Sequence, residues 1–274
     1  MQKSNHNIKT ACITGKVAKA ADRYAMDVMG LKSLTLMETA SSKIAEYVMR
    51  HDPLNGGDFQ HPEESIAASR DDGNDSECPE KTELKCRTLK ISVLCGVGNN
   101  GADGVCASRM LLGEGYQPQV YIVGNLEKAS WEFLYQLCHF QQAGGTATMY
   151  HPDSDTAADD ASTFRANRLP DDDILIDGIF GIGLHREIAG DYRTFIEEAN
   201  RRRHGFVLAI DAPSGINTDT GELMGCGIKA DVTITFGRNK TGLVCGAGRN
   251  FAGRVLVEDI GIPDEAYDEA EKHA

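Results

Sequence analysis

The stretch CGVGNNGADGVC, residues 95–106, decides how this chain is read. Gly96, Gly98 and Gly101 have the spacing G-x-G-x-x-G. The apolar run LKISVLC (89–95) precedes them, and ADGVCASRMLLGEG (102–115) follows as a helix ending at glycine. A strand, a glycine turn and a helix start place free backbone amides where a phosphate can approach. The version that binds a redox dinucleotide also carries an acid at the end of the second strand, for the ribose hydroxyls. Here the second strand, QVYIV (119–123), runs into GNLEK, and Glu127 lies several residues beyond its tip. Asn99, Asn100 and Asp103 add polar groups to the loop. The loop is therefore read as holding a nucleotide without the apparatus of a dehydrogenase. Taken alone, it is also compatible with a plain strand-to-helix turn in which Asp103 is a first-turn acid.

Outward from this stretch the pattern alternates. Strands are expected at 89–95, 119–123, 146–150, 174–180, 205–211, 231–236 and 254–260, with helices at 102–115, 129–143 and 191–203. Short apolar runs separated by helices imply right-handed βαβ units and a mostly parallel sheet covered on both faces. Upstream, residues 16–29 and 33–50 read as two helices separated by Gly30; Leu34, Met37, Ile44 and Val48 keep helical spacing. The chain of 274 residues is thus one α/β domain. N-terminal helices span 10–50, a polar and turn-rich acidic insertion at 51–87 is expected to be flexible, and a doubly wound core spans 88–262.

The net charge of −13 is concentrated. Residues 52–83 carry ten acids and two bases, and residues 153–173 carry seven acids and two bases, so these two segments account for all of it. Both are expected at the surface. A nucleic-acid partner is disfavoured, because phosphate backbones are bound by basic faces. No apolar run approaches the roughly 18 residues of a membrane span, and the N-terminus lacks a secretory h-region. The eight cysteines form no C-x-x-C motif or zinc spacing, which suits reduced thiols in a cytoplasmic protein.

In an open parallel sheet, ligands bind beyond the carboxyl ends of the strands. Three strand ends here carry glycines and an aspartate: GVGNNGAD (96–103), DGIFGIGLHRE (177–187) and DAPSG (211–215). Ser214 is not a hydrolase nucleophile, since G-x-S-x-G and its elbow are absent. Asn100, Asp177 and Ser214 are hard oxygen donors, and one carboxylate among neutral oxygens suits a monovalent cation; a hydrogen-bond network of the same residues is the alternative. Arg186 can pair with phosphate. His185 is also readable as an exposed loop histidine.

Together the segments LMETAS (36–41), GVGNNGADGV (96–105), DGIFGIGLHREIAG (177–190), IDAPSGINTDTGE (210–222) and ADVTITFGRNKTGLV (230–244) resemble the NAD(P)H-hydrate epimerases, the YjeF amino-terminal-domain family. The resemblance implies a Rossmann-like three-layer αβα sandwich that interconverts the R and S forms of hydrated NADH and NADPH. By the same resemblance Asn99, Asn100, Gly101, Ala102, Asp103, Gly181, Ile182, Gly183, Leu184, His185, Arg186, Glu187 and Asp211 bind the substrate. Asn100, Asp177 and Ser214 hold one potassium ion (K+). It also implies a stand-alone form, leaves a homodimer open, and makes a separate NAD(P)HX dehydratase the functional partner. Ala102 stands where the family usually has glycine, and LMETAS departs from the usual L-M-E-N-A-G. For the chemistry, Asp177 is the expected general acid or base, with Lys128 matching a family lysine approximately. A non-catalytic scaffold on the same fold is the alternative, and joint retention of Asn99, Asn100, Asp103, Asp177, Asp211 and Ser214 argues against it.

Overall fold

In the computed structural model, residues 12–59, 89–152, 164–166 and 168–273 are described. The acidic stretches 60–88 and 153–163 lie outside them, as do Cys78 and Cys86. Strands β1 (Ile91–Cys95), β2 (Gln119–Ile122), β3 (Thr146–Tyr150), β4 (Phe164–Ala166), β5 (Asp172–Gly178), β6 (His204–Ile210), β7 (Val232–Phe236) and β8 (Arg254–Glu258) form one sheet in the order β4-β3-β2-β1-β5-β6-β7-β8. Every pairing is parallel. The chain builds outward from β1 to one edge, returns to place β5 beside β1, and then builds to the other edge. The switch point therefore lies between β1 and β5, where the order reverses.

Both faces of the sheet are covered, as the unbroken apolar run ISVLC requires: all five residues of β1 are buried. Val93 and Cys95 point into the core formed with helices α2 (Ser33–His51), α3 (Asn99–Gly113) and α4 (Trp131–Gln142). Leu94, between them, points to the opposite face, where α5 (Gly190–Asn200) buries Phe195 and Ile196. Two short helical turns, α6 (Thr241–Val244) and α7 (Gly248–Phe251), precede β8. A third cluster joins α1 (Gly15–Asp27) to α8 (Asp264–Lys272) through Ala18, Ala21, Ala25, Ala266 and Ala270, small residues that let two helices approach closely.

Several expected boundaries move, each for a local reason. Helix α3 starts at Asn99 rather than Ala102, with extended Gly98 as its N-cap, so both asparagines sit in its first turn. Strand β5 stops at Gly178, releasing Ile179 and Phe180 into the following loop. Strand β6 stops at Ile210, because Asp211 has φ +62° and leaves the sheet. Helix α8 has only alanines and one tyrosine as its apolar face and was not expected. The segment 153–173 is not wholly a surface run: it contains β4 and the start of β5, where Asp172 is buried. At the start of the insertion, Asp52 and Phe59 are buried, and Asp52 Oδ2 accepts from the Tyr116 hydroxyl at 2.7 Å.

Asp172 has a partner at the opposite end of the sheet from the switch-point crevice. His204 Nδ1 lies 2.9 Å from Asp172 Oδ1, and Nε2 lies 2.9 Å from the Ala199 carbonyl. Burial alone would lower the His204 pKa, but the Asp172 carboxylate and the Ala199 carbonyl outweigh it, and His204 ends above its ordinary value. A histidine raised in the folded state contributes its full stabilisation below its unfolded pKa and loses it as pH rises through the folded value. The urea midpoint of wild type should therefore exceed that of His204→Gln most at about pH 5.5 and by less at about pH 9. A difference that grows with pH contradicts this reading.

Candidate active site

Glycines bring the loops after β1 and β5 together. A Cβ at Gly96 would strike the Ile179 carbonyl, and one at Gly101 would strike the Gly96 carbonyl. Between these loops, α1 and α2 roof a cavity of about 660 Å³ at the carboxyl end of the sheet. That is within the roughly 300–1,000 Å³ of ligand pockets. Asn99, Asn100 and Asp103 line it from the start of α3, and Gly181 to Leu184 from the loop after β5. Leu36, Met37 and Ala40 of α2 and Met26 of α1 supply apolar wall. Phe180 and Tyr192, with ring centroids 4.9 Å apart, line the cavity together with Val97. Tyr192 also lies against Gly124, beyond β2, which sets this aromatic end on the β2 side.

The opposite end, under β6 and β7, is polar. Lys240 is 2% exposed, and its ammonium donates to Asp211 Oδ1 at 2.7 Å, Thr235 Oγ1 at 2.8 Å and the Phe236 carbonyl at 2.8 Å. All three of its donors are thereby used. Asp211 Oδ1 also accepts from the Thr235 hydroxyl at 3.0 Å and the Phe236 amide at 3.4 Å. Every protein hydrogen bond to this carboxylate thus falls on one oxygen, leaving Oδ2 without a partner among the described residues in a residue that lines the cavity. Left-handed backbone at a non-glycine residue costs of order 1–3 kcal/mol and concentrates at functional sites.

Two further carboxyls face the same end. Asp103 is pushed well above the ordinary carboxylate range by burial, with Asp211, Asp22 and Glu132 adding to the effect. Asp22, from α1, is raised to about 6 by burial, against the Lys240 charge and with that of Asp211. Neither Asp22 nor Lys240 was singled out as a site residue from the sequence. The available signal was a charged residue on the packed side of α1, four positions from Ala18, and the lysine in the FGRNK that closes β7.

The expected site residues divide into three groups. Asn99, Asn100, Asp103, Gly181, Ile182, Gly183, Leu184 and Asp211 line the cavity; Gly101 and Ala102 are buried in the helix turn behind them. His185, Arg186 and Glu187 are exposed and outside the lining, His185 lying 3.8 Å from Asp219. Asp177 and Ser214 are fully buried and do not line the cavity. Asp177 accepts from the Ser214 amide at 2.7 Å, the Ser214 hydroxyl at 2.6 Å and the Ile179 amide at 3.3 Å. Burial raises its pKa to about 6 against those three donors. Both Asp177 oxygens are thus engaged behind the cavity wall. Lys128 ends an exposed turn after β2 and is not among the lining residues.

Of the residues expected to hold a cation, Asp177 and Ser214 are hydrogen-bonded to each other, while Asn100 reaches the loop after β5 at Gly181. The Ser214 hydroxyl bridges Asp177 and the Phe180 amide, and Gly181 is placed so that a Cβ would come within 2.8 Å of Asn100 Oδ1. The other end of that amide, Asn100 Nδ2, is buried without a partner. An amide's two ends are exchanged by a half-turn, so Asn100 can offer a second buried oxygen position. The donors are all hard oxygens, which fits an alkali cation.

Residues 33–242 match the family model described as YjeF-related protein N-terminus. The chain belongs to that family. Members named NAD(P)H-hydrate epimerase include one from Limosilactobacillus fermentum, 36% identical over 90% of this chain and 95% of its own length. Another, from Oenococcus oeni, is 30% identical over 92% of this chain and 98% of its own. The crystal structure of yeast ynu0 superposes with a TM-score of 0.65, covering 95% of this chain and 93% of that one at 18% identity, which speaks to the fold alone.

For this YjeF-related domain, the buried pair makes a stability prediction. Removing one partner of a buried ion pair costs roughly 3–5 kcal/mol because the other charge is stranded. Lys240→Met should lower stability by about that amount in urea unfolding, and adding Asp211→Asn should recover part of the loss. Strict additivity of the two losses contradicts a coupled pair.

Proposed function

We propose that this chain is an NAD(P)H-hydrate epimerase that binds the hydrated dinucleotide in this cavity. The observation that carries the reading is the one-sided anchoring of Asp211: Lys240 fixes one carboxylate oxygen and leaves the other at the polar end of the cavity. The names of relatives at 30–36% identity support the same substrate. The amides at the start of α3 suit the diphosphate. The hydrated ring then lies towards Asp211, with the adenosine towards Phe180 and Tyr192.

The reacting carbon of hydrated NAD(P)H carries a hydroxyl beside the ring nitrogen. Protonating that hydroxyl lets it leave as water while the nitrogen lone pair forms the C=N bond of an iminium. Water then adds to the carbon, gives up a proton to a base, and the electron pair returns to nitrogen. Return on the opposite face inverts the centre. Asp211 Oδ2 is the proton-exchanging atom on the sheet side, and its negative charge also favours the cationic iminium. Asn99, Asn100, Asp103 and the 181–184 loop orient the nucleotide. Asn100, Asp177 and Ser214 would hold K+, which supplies a fixed positive charge beside the phosphate-binding loop. Within this reading the enzyme is cytoplasmic and a separate dehydratase consumes the S epimer.

Incubating each purified epimer with the protein and separating the products chirally should give the same R:S ratio from either start, faster than without protein. Replacing potassium by a large organic cation such as tetramethylammonium should slow that approach. No acceleration in potassium buffer contradicts the function; equal rates in both buffers contradict the cation.

A further inference from the structure

We propose that Asp22, on the N-terminal helix, is a second catalytic carboxylate, exchanging protons on the helix side of the bound ring while Asp211 does so on the sheet side. This rests on the epimerase reading above. Inverting a carbon by loss and return of water requires proton exchange on both of its faces. A single carboxylate fixed on one face serves departure and return on that face alone and regenerates the starting epimer. Asp211 comes from the end of β6, so the other group has to come from a different wall.

Asp22 meets that requirement. It lines the cavity from α1, in register with Ala18 and Met26 on the same helix face. Its carboxylate makes no hydrogen bond or ion pair with any described residue. Of the cations beside it on α1, Arg23 pairs with Asp27 at 3.2 Å, and neither Arg23 nor Lys19 forms an ion pair with it. A half-buried acid with no partner among the described residues costs stability, which singles it out from a solvated surface acid. The charged and titratable groups around it are Lys240 and Asp211 from the sheet, Asp103 from α3, Tyr267 from α8, and Lys19 and Arg23 from its own helix. Their combined effect with burial leaves Asp22 at about 6, where it can both give and take a proton near neutrality.

Asp22 is also held in register with the buried pair. The Ile13 amide donates to the Asn239 carbonyl at 2.8 Å and the Thr241 amide to the Ile13 carbonyl at 2.8 Å, so the chain entering α1 is bridged to Lys240. Thr14 then caps α1 through the Val17 amide at 3.2 Å. Protonated Asp22 gives its proton to the departing hydroxyl as the C–O bond breaks and the ring C=N bond forms. Water attacks from the sheet side, forming the new C–O bond as the C=N electron pair returns to nitrogen, and Asp211 takes its proton. The enzyme is left poised for the reverse reaction, and proton exchange with solvent resets it.

The test compares wild type, Asp22→Asn and Asp22→Glu with both purified epimers. Asp22→Asn should bind NADP as wild type does and unfold at no lower urea concentration, while kcat falls about a hundredfold or more in both directions with KM within a few-fold. Asp22→Glu should regain part of that loss, and the wild-type limb of kcat/KM near pH 6 should be missing from the residual activity of Asp22→Asn. Inactive wild type would refute the epimerase reading itself. Active wild type with Asp22→Asn within threefold of it, or a rise in KM alone, would overturn the role of Asp22 and leave that reading standing.

Discussion

The contact on which the site depends is the Lys240 ammonium against one oxygen of Asp211. It sits where three parts of the chain meet: the end of β6, the end of β7, and the segment entering α1 that is bridged to Lys240. A buried ammonium requires acceptors for all of its protons, and Asp211, Thr235 and Phe236 provide them. Meeting that demand fixes the rotamer of Asp211 and helps to offset its left-handed backbone. The free oxygen is then presented to the cavity by a rigid support, which is what a proton-exchanging group needs. The same contact sets where α1 begins and hence where Asp22 lies.

Crowding of like charges is the second constraint. Asp22, Asp103 and Asp211 share one end of the cavity with a single buried lysine, and burial together with mutual repulsion raises the first two. A purely structural core would gain from replacing such groups by apolar ones. Their grouping around one cavity is the pattern of a site that moves protons.

Much of this was legible in the sequence because it depends on local pattern. The run ISVLC followed by glycines and a helix start fixed β1, the turn and α3, and Asp177 and Asp211 were correctly placed at strand ends. The roles at those ends were not legible. Asp177 and Asp211 both follow apolar runs, and only packing shows that Ser214 closes over one while Lys240 holds the other by one oxygen. Distance from a strand says nothing about which way a turn faces, so the exposure of Lys128 was not legible either. Asp22 was hidden for a related reason: α1 reads as an ordinary amphipathic helix until its packing on α8 shows which face is roofed. Helix α8 itself was missed because its packed face is built from alanines, whose close approach replaces the large apolar side chains that pattern reading looks for.

The account's central claim is that the unpaired oxygen of Asp211 exchanges the substrate's protons, and turnover by Asp211→Asn tests it most directly. The substitution keeps the shape and an oxygen for Lys240 while removing the exchangeable site. Wild-type affinity for NADP combined with a fall in epimerisation of about a thousandfold is the predicted result. Turnover within about tenfold of wild type, in a variant that folds and binds NADP normally, would contradict it.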